Sequence, residues 1–162
     1  METAQPSPTT PVAPPRGFYP GRVDEKGRLK LPVKFQEYLA AVEDKSFFVT
    51  SFGDGIARIY PESVWKDNEK LFHTTTVAPQ AAQRLAFLAN ALGADCEIDA
   101  QGRMLLPPEL RRKLGLDNQP VQLLAYRGRI DVYSQEMYYR HLADAEAAAK
   151  EDLALLAQNG LL

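Results

Sequence analysis

Two stretches of this chain, Asp24-Glu25-Lys26-Gly27-Arg28-Leu29-Lys30-Leu31-Pro32 and Asp99-Ala100-Gln101-Gly102-Arg103-Met104-Leu105-Leu106-Pro107, repeat one pattern in register. Asp, Gly, Arg, an apolar residue and Pro occupy the same places in both, and β-branched Val23 and Ile98 precede them. One Asp-x-x-Gly-Arg arises easily by chance, whereas two copies with matching flanks imply a duplicated unit. Each copy reads as a strand, a tight turn, a second strand and then a helix opened by proline. Gly27 and Gly102 supply the positive φ such a turn needs. Asp24 and Asp99 open the turns and can accept hydrogen bonds from nearby backbone amides. Pro32 and Pro107 suit a helix start. The outcome is two equivalent arginines, Arg28 and Arg103, at two equivalent turns.

Working outward, the order of elements also repeats. Residues 21–23 and 28–31 read as strands around the first turn, and Phe35, Tyr38, Leu39 and Val42 then follow helical spacing. Residues 47–52 and 56–60 are aromatic and β-branched around Gly53-Asp54-Gly55, which predicts a hairpin. Pro61 opens a helix to about Phe72, and residues 79–92 predict a connecting helix with Leu85, Leu88 and Leu92 on one side. In the second unit, residues 94–98 and 103–106 flank the turn. A helix with Leu110 and Leu114 inward stops at Gly115. Residues 121–126 and 130–133 predict the second hairpin, around Arg127-Gly128-Arg129. A long Ala/Glu-rich helix follows from Gln135, with Met137, Leu142, Leu153 and Leu156 as packing candidates. Each unit is β-β-α-β-β-α. Half of such a chain buries too little surface to stand alone, so two halves sharing one barrel is the economical solution.

The expected division is a disordered Pro-rich tail at residues 1–15, a first repeat at 18–65 and connector helices at 66–92. A second repeat at 93–136 and a C-terminal helix at 137–162 complete it. At 162 residues, 45% hydrophobic and 25% charged, the composition is that of an ordinary globular protein. No apolar run is long enough to cross a bilayer, and no secretory signal is legible at the N-terminus. Cys96 is the only cysteine, so no intrachain disulfide is available and a cytoplasmic location is expected. Net charge is −2, which argues against a protein that coats nucleic acid by bulk attraction. Local charge differs: Arg16, Arg22, Lys26, Arg28, Lys30 and Lys34 cluster around the first motif, and Arg103, Arg111, Arg112 and Lys113 around the second. Acids gather elsewhere, including Asp144, Glu146, Glu151 and Asp152 near the C-terminus.

The paired Asp-x-x-Gly-Arg-[Leu/Met]-x-x-Pro motifs, their spacing, the intervening helix and the Tyr60-Pro61 and Tyr133 hairpin exits resemble the MraZ family. That family is built from two SpoVT-AbrB, or swapped-hairpin, repeats. The likeness runs from about Arg16 to Tyr138. It implies an α+β fold, a pseudo-two-fold swapped-hairpin AbrB-like β-barrel with a connecting and a C-terminal helix. It further implies a transcriptional repressor that binds short direct repeats upstream of its own division and cell-wall gene cluster. A nucleoid-associated ring, roughly octamer to dodecamer, is implied as well. The family's Asp-x-x-x-Arg signature falls on Asp24 and Arg28, and on Asp99 and Arg103. Two departures stand out: the long extension before Arg16, and Ala100-Gln101 where the first motif has Glu25-Lys26.

Arginine pairs bidentately with guanine or clasps a phosphate. The candidate DNA-binding residues are therefore Arg28, Lys26, Lys30, Arg22 and Arg103, with double-stranded DNA as partner. Asp24 and Asp99 are expected to hold the turns and orient the arginines, because a carboxylate beside phosphate is repelled. The competing reading makes each Asp–Arg couple an internal ion pair with no other task. An enzyme is the weaker alternative: His73 and His141 form no motif with Cys96, which reads as a small core residue. No metal-ligand spacing or phosphate-binding glycine loop is legible, and no cofactor is expected. An antitoxin-like DNA binder and an assembly module remain as alternatives that share the fold.

Overall fold

The computed structural model describes residues 12–162. Of the tail expected at 1–15, residues 1–11 lie outside the described residues, and 12–15 have no regular secondary structure. The strands are β1 (Tyr19–Val23), β2 (Arg28–Lys30), β3 (Phe47–Thr50), β4 (Ile56–Pro61), β5 (Ala94–Cys96), β6 (Arg103–Leu105), β7 (Gln119–Tyr126) and β8 (Arg129–Ser134). The helices are α1 (Val33–Ala41), α2 (Glu62–Thr74), α3 (Pro79–Leu92), α4 (Pro108–Leu114) and α5 (Gln135–Ala157).

All eight strands join one antiparallel sheet in the order β5-β3-β4-β8-β7-β1-β2-β6. A single bridge from Ile98 to Met104 links the β5 end of the sheet to β6, so the sheet curls into a nearly closed barrel. The pairing respects a pseudo-two-fold axis. β1 of the first half pairs with β7 of the second, and β5 of the second pairs with β3 of the first. On the axis, β2 pairs with β6 and β4 with β8. Each half thus lends a strand to the other half's hairpin.

The period of two explains the core. Val23, Leu29, Val49, Ala57, Ile59, Met104, Val121, Leu123, Ile130 and Val132 are each 0% exposed, and Phe35 and Leu39 of α1 and Leu110 of α4 cap the same interior. A second, smaller cluster lies outside the barrel, where α2 and α3 cover β3 and β4. Trp65 stacks on Phe48 with ring centroids 4.5 Å apart, and Tyr60, Phe52 and Phe72 complete the packing. Trp65 and the aromatic residues around it are thus packing residues between α2 and the barrel.

Some expectations are corrected. In α3 the inward face is Ala82, Ala89 and Leu92, while Leu85 is 40% exposed. α2 leans on α3 closely, so small residues occupy the contact. α5 buries no residue at all: Leu142, Leu153 and Leu156 are exposed, and only its first turns touch β7 and β8. The helix outruns the barrel it starts on. β5 ends at Cys96 rather than at residue 98, because the chain turns into the second motif there.

Candidate nucleic-acid interface

The two motif turns are built alike, atom for atom. Asp24 Oδ1 accepts from the backbone amides of Lys26 and Arg28, both at 2.9 Å, and its Oδ2 accepts from Arg28 Nε at 2.9 Å. Asp99 does the same with the amides of Gln101 and Arg103 at 2.9 Å and with Arg103 Nε at 3.0 Å. Gly27 and Gly102 close the turns at φ 84° and 73°, each donating its amide to the carbonyl of its Asp at 3.0 Å. Those bonds to the ionised form hold both carboxyls below their usual range, the amide of Arg28 or Arg103 being the largest cause.

Asp and Arg therefore do pair, but not in the interior. The side chains of Arg28 and Arg103 keep 31% and 27% of their surface exposed, and each is held through Nε. The terminal nitrogens of both guanidinium groups form no hydrogen bond or ion pair among the described residues. A guanidinium fixed by its stem and open at its fork is oriented for a planar acceptor.

Strand pairing sets what surrounds these arginines. In the β2–β6 ladder Arg28 stands opposite Leu105, Leu29 opposite Met104, and Lys30 opposite Arg103. Leu29 and Met104 point into the core, so Arg28, Lys30, Arg103 and Leu105 share the outer face. Arg22 lies opposite Lys30 on β1 and extends the row. Arg28 and Arg103 are diagonal neighbours, roughly 7–8 Å apart at Cβ or less. Lys26 projects from the first turn, exposed. All five basic residues singled out in the sequence thus meet on one outer face of β1, β2 and β6 and the turn beside it. Arg22, Lys26 and Lys30 form no ion pair among the described residues. Arg22 Nη2 instead donates to Asn118 Oδ1 at 2.9 Å, and Lys30 Nζ donates to the Gln101 carbonyl of the second turn.

Other basic residues near the motifs serve different ends. Arg111 donates to the Leu106 carbonyl at 3.0 Å and pairs with Asp117 at 2.9 Å, while Arg112 pairs with Glu109. Sequence reasoning missed Gln36 and Asn118, and it counted Arg111 only as part of the second basic group, not as a contributor to the first turn. Gln36 and Arg111 occupy equivalent places on α1 and α4, and each lays its polar head over the other half's turn glycine, Gly102 and Gly27 respectively. Their shared distance from the motif proline was the available signal. Asn118, at φ 55°, donates its amide to the Asp24 carbonyl at 3.2 Å, a contact across the swap that local patterns do not carry.

Cys96 lies buried against Phe47 on β3, and its thiol is pushed up to about 11 by burial. Among the described residues, no helix is long and apolar enough to cross a membrane.

A nearly closed, pseudo-two-fold swapped-hairpin barrel carrying twin Asp–Arg turns defines an AbrB-like protein. The family model described as "MraZ protein, putative antitoxin-like" matches residues 91–158. A relative from Acidobacterium capsulatum, named transcriptional regulator MraZ, is 35% identical over 147 residues, covering 90% of this chain and 99% of its own. Proteins of the same name from Carboxydothermus hydrogenoformans and Desulfitobacterium hafniense (strain DCB-2) are 33% and 35% identical, over 83% and 86% of this chain and 91% and 96% of theirs. The chain belongs to the MraZ family.

Proposed function

We propose that the protein is a DNA-binding transcriptional regulator, not an enzyme, whose outer β1–β2–β6 face reads duplex DNA. Arg28 and Arg103 are the base-reading or phosphate-clasping pair, and Arg22, Lys26 and Lys30 supply further positive charge. The observation that carries this reading is the pair of matched turns. Each anchors one arginine by its Nε, leaves the fork open, and places it beside unpaired cations on one small face. An ion pair needed only for stability would not require three more unneutralised cations around it.

The finer reading follows from the family and from charge. Where the first half has Arg22, Lys26 and Lys30, the second has Glu97, Gln101 and Leu105. A face so lopsided gives each copy a direction along the duplex, and copies following one another head to tail around a ring would meet direct repeats. A chain of net charge −2 binds one short site weakly, and a ring of copies offsets this. Linked sites gain roughly 10²–10⁴ in avidity. The regulator is accordingly a ring homo-oligomer, cytoplasmic and nucleoid-associated, that represses its own division and cell-wall gene cluster. The organisation in two repeats around a connector, with a C-terminal helix beyond, belongs to the same reading.

The test is selection of bound duplexes from a random-sequence pool, repeated with Arg28→Ala. The expected loss is about 1–3 kcal/mol with relaxed sequence preference. Unchanged affinity, sequence preference and salt dependence in the variant would refute the assignment of Arg28.

A further inference from the structure

Leu105 is the odd residue on the outer face. It takes the place that Lys30 holds in the first half, it is 57% exposed, and it stands directly opposite Arg28. Its diagonal neighbour across the ladder is Lys30, and Arg103 lies two residues before it on the same strand and face. A leucine so placed is ringed by three cations. Isolated exposed leucines are ordinary and need no explanation. This one differs because Arg28, Lys30 and Arg103 surround it, and an apolar side chain among cations gains nothing from a phosphate. In a duplex groove the apolar feature at the base edge is the thymine C5-methyl.

We propose that Leu105 is a specificity-determining residue that packs against a thymine methyl in the major groove while Arg28 and Arg103 engage the flanking base pairs or phosphates. This deepens the DNA-reading assignment and rests on it. The geometry is compatible. Leu105 projects from the same face as Arg28, and the roughly 7–8 Å or less between Arg28 and Arg103 covers about two base steps at 3.4 Å each. The pseudo-two-fold is thereby broken in chemistry as well as in charge: one half offers an ammonium where the other offers a methyl-seeking side chain.

The experiment uses the full chain and a duplex enriched by the wild-type protein from a random-sequence pool. Each thymine is replaced in turn by deoxyuridine, which keeps every donor and acceptor and removes only the methyl. For wild type, one such replacement should weaken binding about fourfold, the value of one buried methyl. Leu105→Ala, a surface change that leaves the core untouched, should bind both duplexes alike. Leu105→Lys should also ignore the methyl, bind every duplex more tightly, and steepen the salt dependence by about one ion. Equal methyl loss in wild type and Leu105→Ala, no loss in either, or an enriched sequence without thymine would overturn the proposal. So would a change in native mass for Leu105→Ala, which would place Leu105 between copies of the chain. If wild type enriches no duplex above background, the DNA reading itself falls and takes this proposal with it. That result is distinct from every outcome in which DNA is bound.

Discussion

Replacing Gly102 by alanine probes the turn that fixes Arg103. Its φ of 73° is one that L-residues adopt at a cost of about 1–2 kcal/mol. Part of this is returned, about 0.4–1 kcal/mol, because alanine restricts the unfolded chain more than glycine does. The added Cβ would also collide with the Gln36 carboxamide, which lies across the turn and donates to the Leu31 carbonyl at 2.6 Å. Displacing that head group forfeits a hydrogen bond worth about 1 kcal/mol. The total is about 2 kcal/mol, or some 4–8 °C in Tm for a chain of this size. Gly115 is the built-in control: its φ is 63°, but nothing lies within 4 Å of the added carbon, so Gly115→Ala should cost only the backbone part, about 1 kcal/mol. Gly27→Ala meets the Arg111 guanidinium instead and, with charged partners to lose, should cost about 3 kcal/mol. Urea unfolding of the three variants, with Gly102→Ala repeated in a Gln36→Ala background, separates the parts. In that background the cost of Gly102→Ala should shrink to the Gly115→Ala value. A Gly102→Ala cost no larger than that of Gly115→Ala, or one unchanged by removing Gln36, would refute the clamped-turn reasoning.

Acid should loosen both turns together. The Asp24 and Asp99 carboxyls are held below 3.8 in the folded protein, so their contribution is complete above 3.8 and disappears as pH falls through the lowered folded values. Thermal unfolding of wild type should therefore lose stability more steeply in that acid range than the Asp24→Asn/Asp99→Asn protein does, and parallel curves would contradict it. Cys96, raised to about 11 by burial, should resist alkylation near neutral pH until the protein unfolds. Rapid labelling of folded protein, read by mass, would contradict its place in the core. Trp65→Ala should cost about 3–5 kcal/mol by emptying the aromatic cluster between α2, α3 and the barrel. A loss under 1 kcal/mol in denaturant titration would mean that cluster is not packed as described.

The duplicated motif made the fold legible, because its turn chemistry is local. An Asp bonding amides two and four residues ahead, and a Gly at positive φ, leave their marks within one short stretch. Alternation and helical spacing likewise located the strands and helices, with ends differing by a residue or two. The side chains that finish the site were less legible, since Gln36 over Gly102, Arg111 over Gly27, and Asn118 beside Arg22 are contacts between halves. No local period encodes them. The strand swap itself, β1 with β7 and β5 with β3, was implied by family likeness rather than by pattern. Helix packing was overread at Leu85, Leu153 and Leu156, because spacing shows which residues share a side but not whether anything covers that side. Four of the five basic residues were legible as a cluster around the first motif, and Arg103 joined them only through the pairing of β2 with β6. The ladder that sets Leu105 among them had to be seen in the pairing of β2 with β6.

On the proposed reading, the β1–β2–β6 face meets DNA through both turns at once. A structure of the full chain bound to a duplex enriched from a random pool tests it most directly. Arg28 and Arg103 should lie at base edges or phosphates of one groove, with Asp24 and Asp99 still bonded to their own backbones. A duplex seated anywhere else on the protein, with both arginines left in solvent, would contradict it.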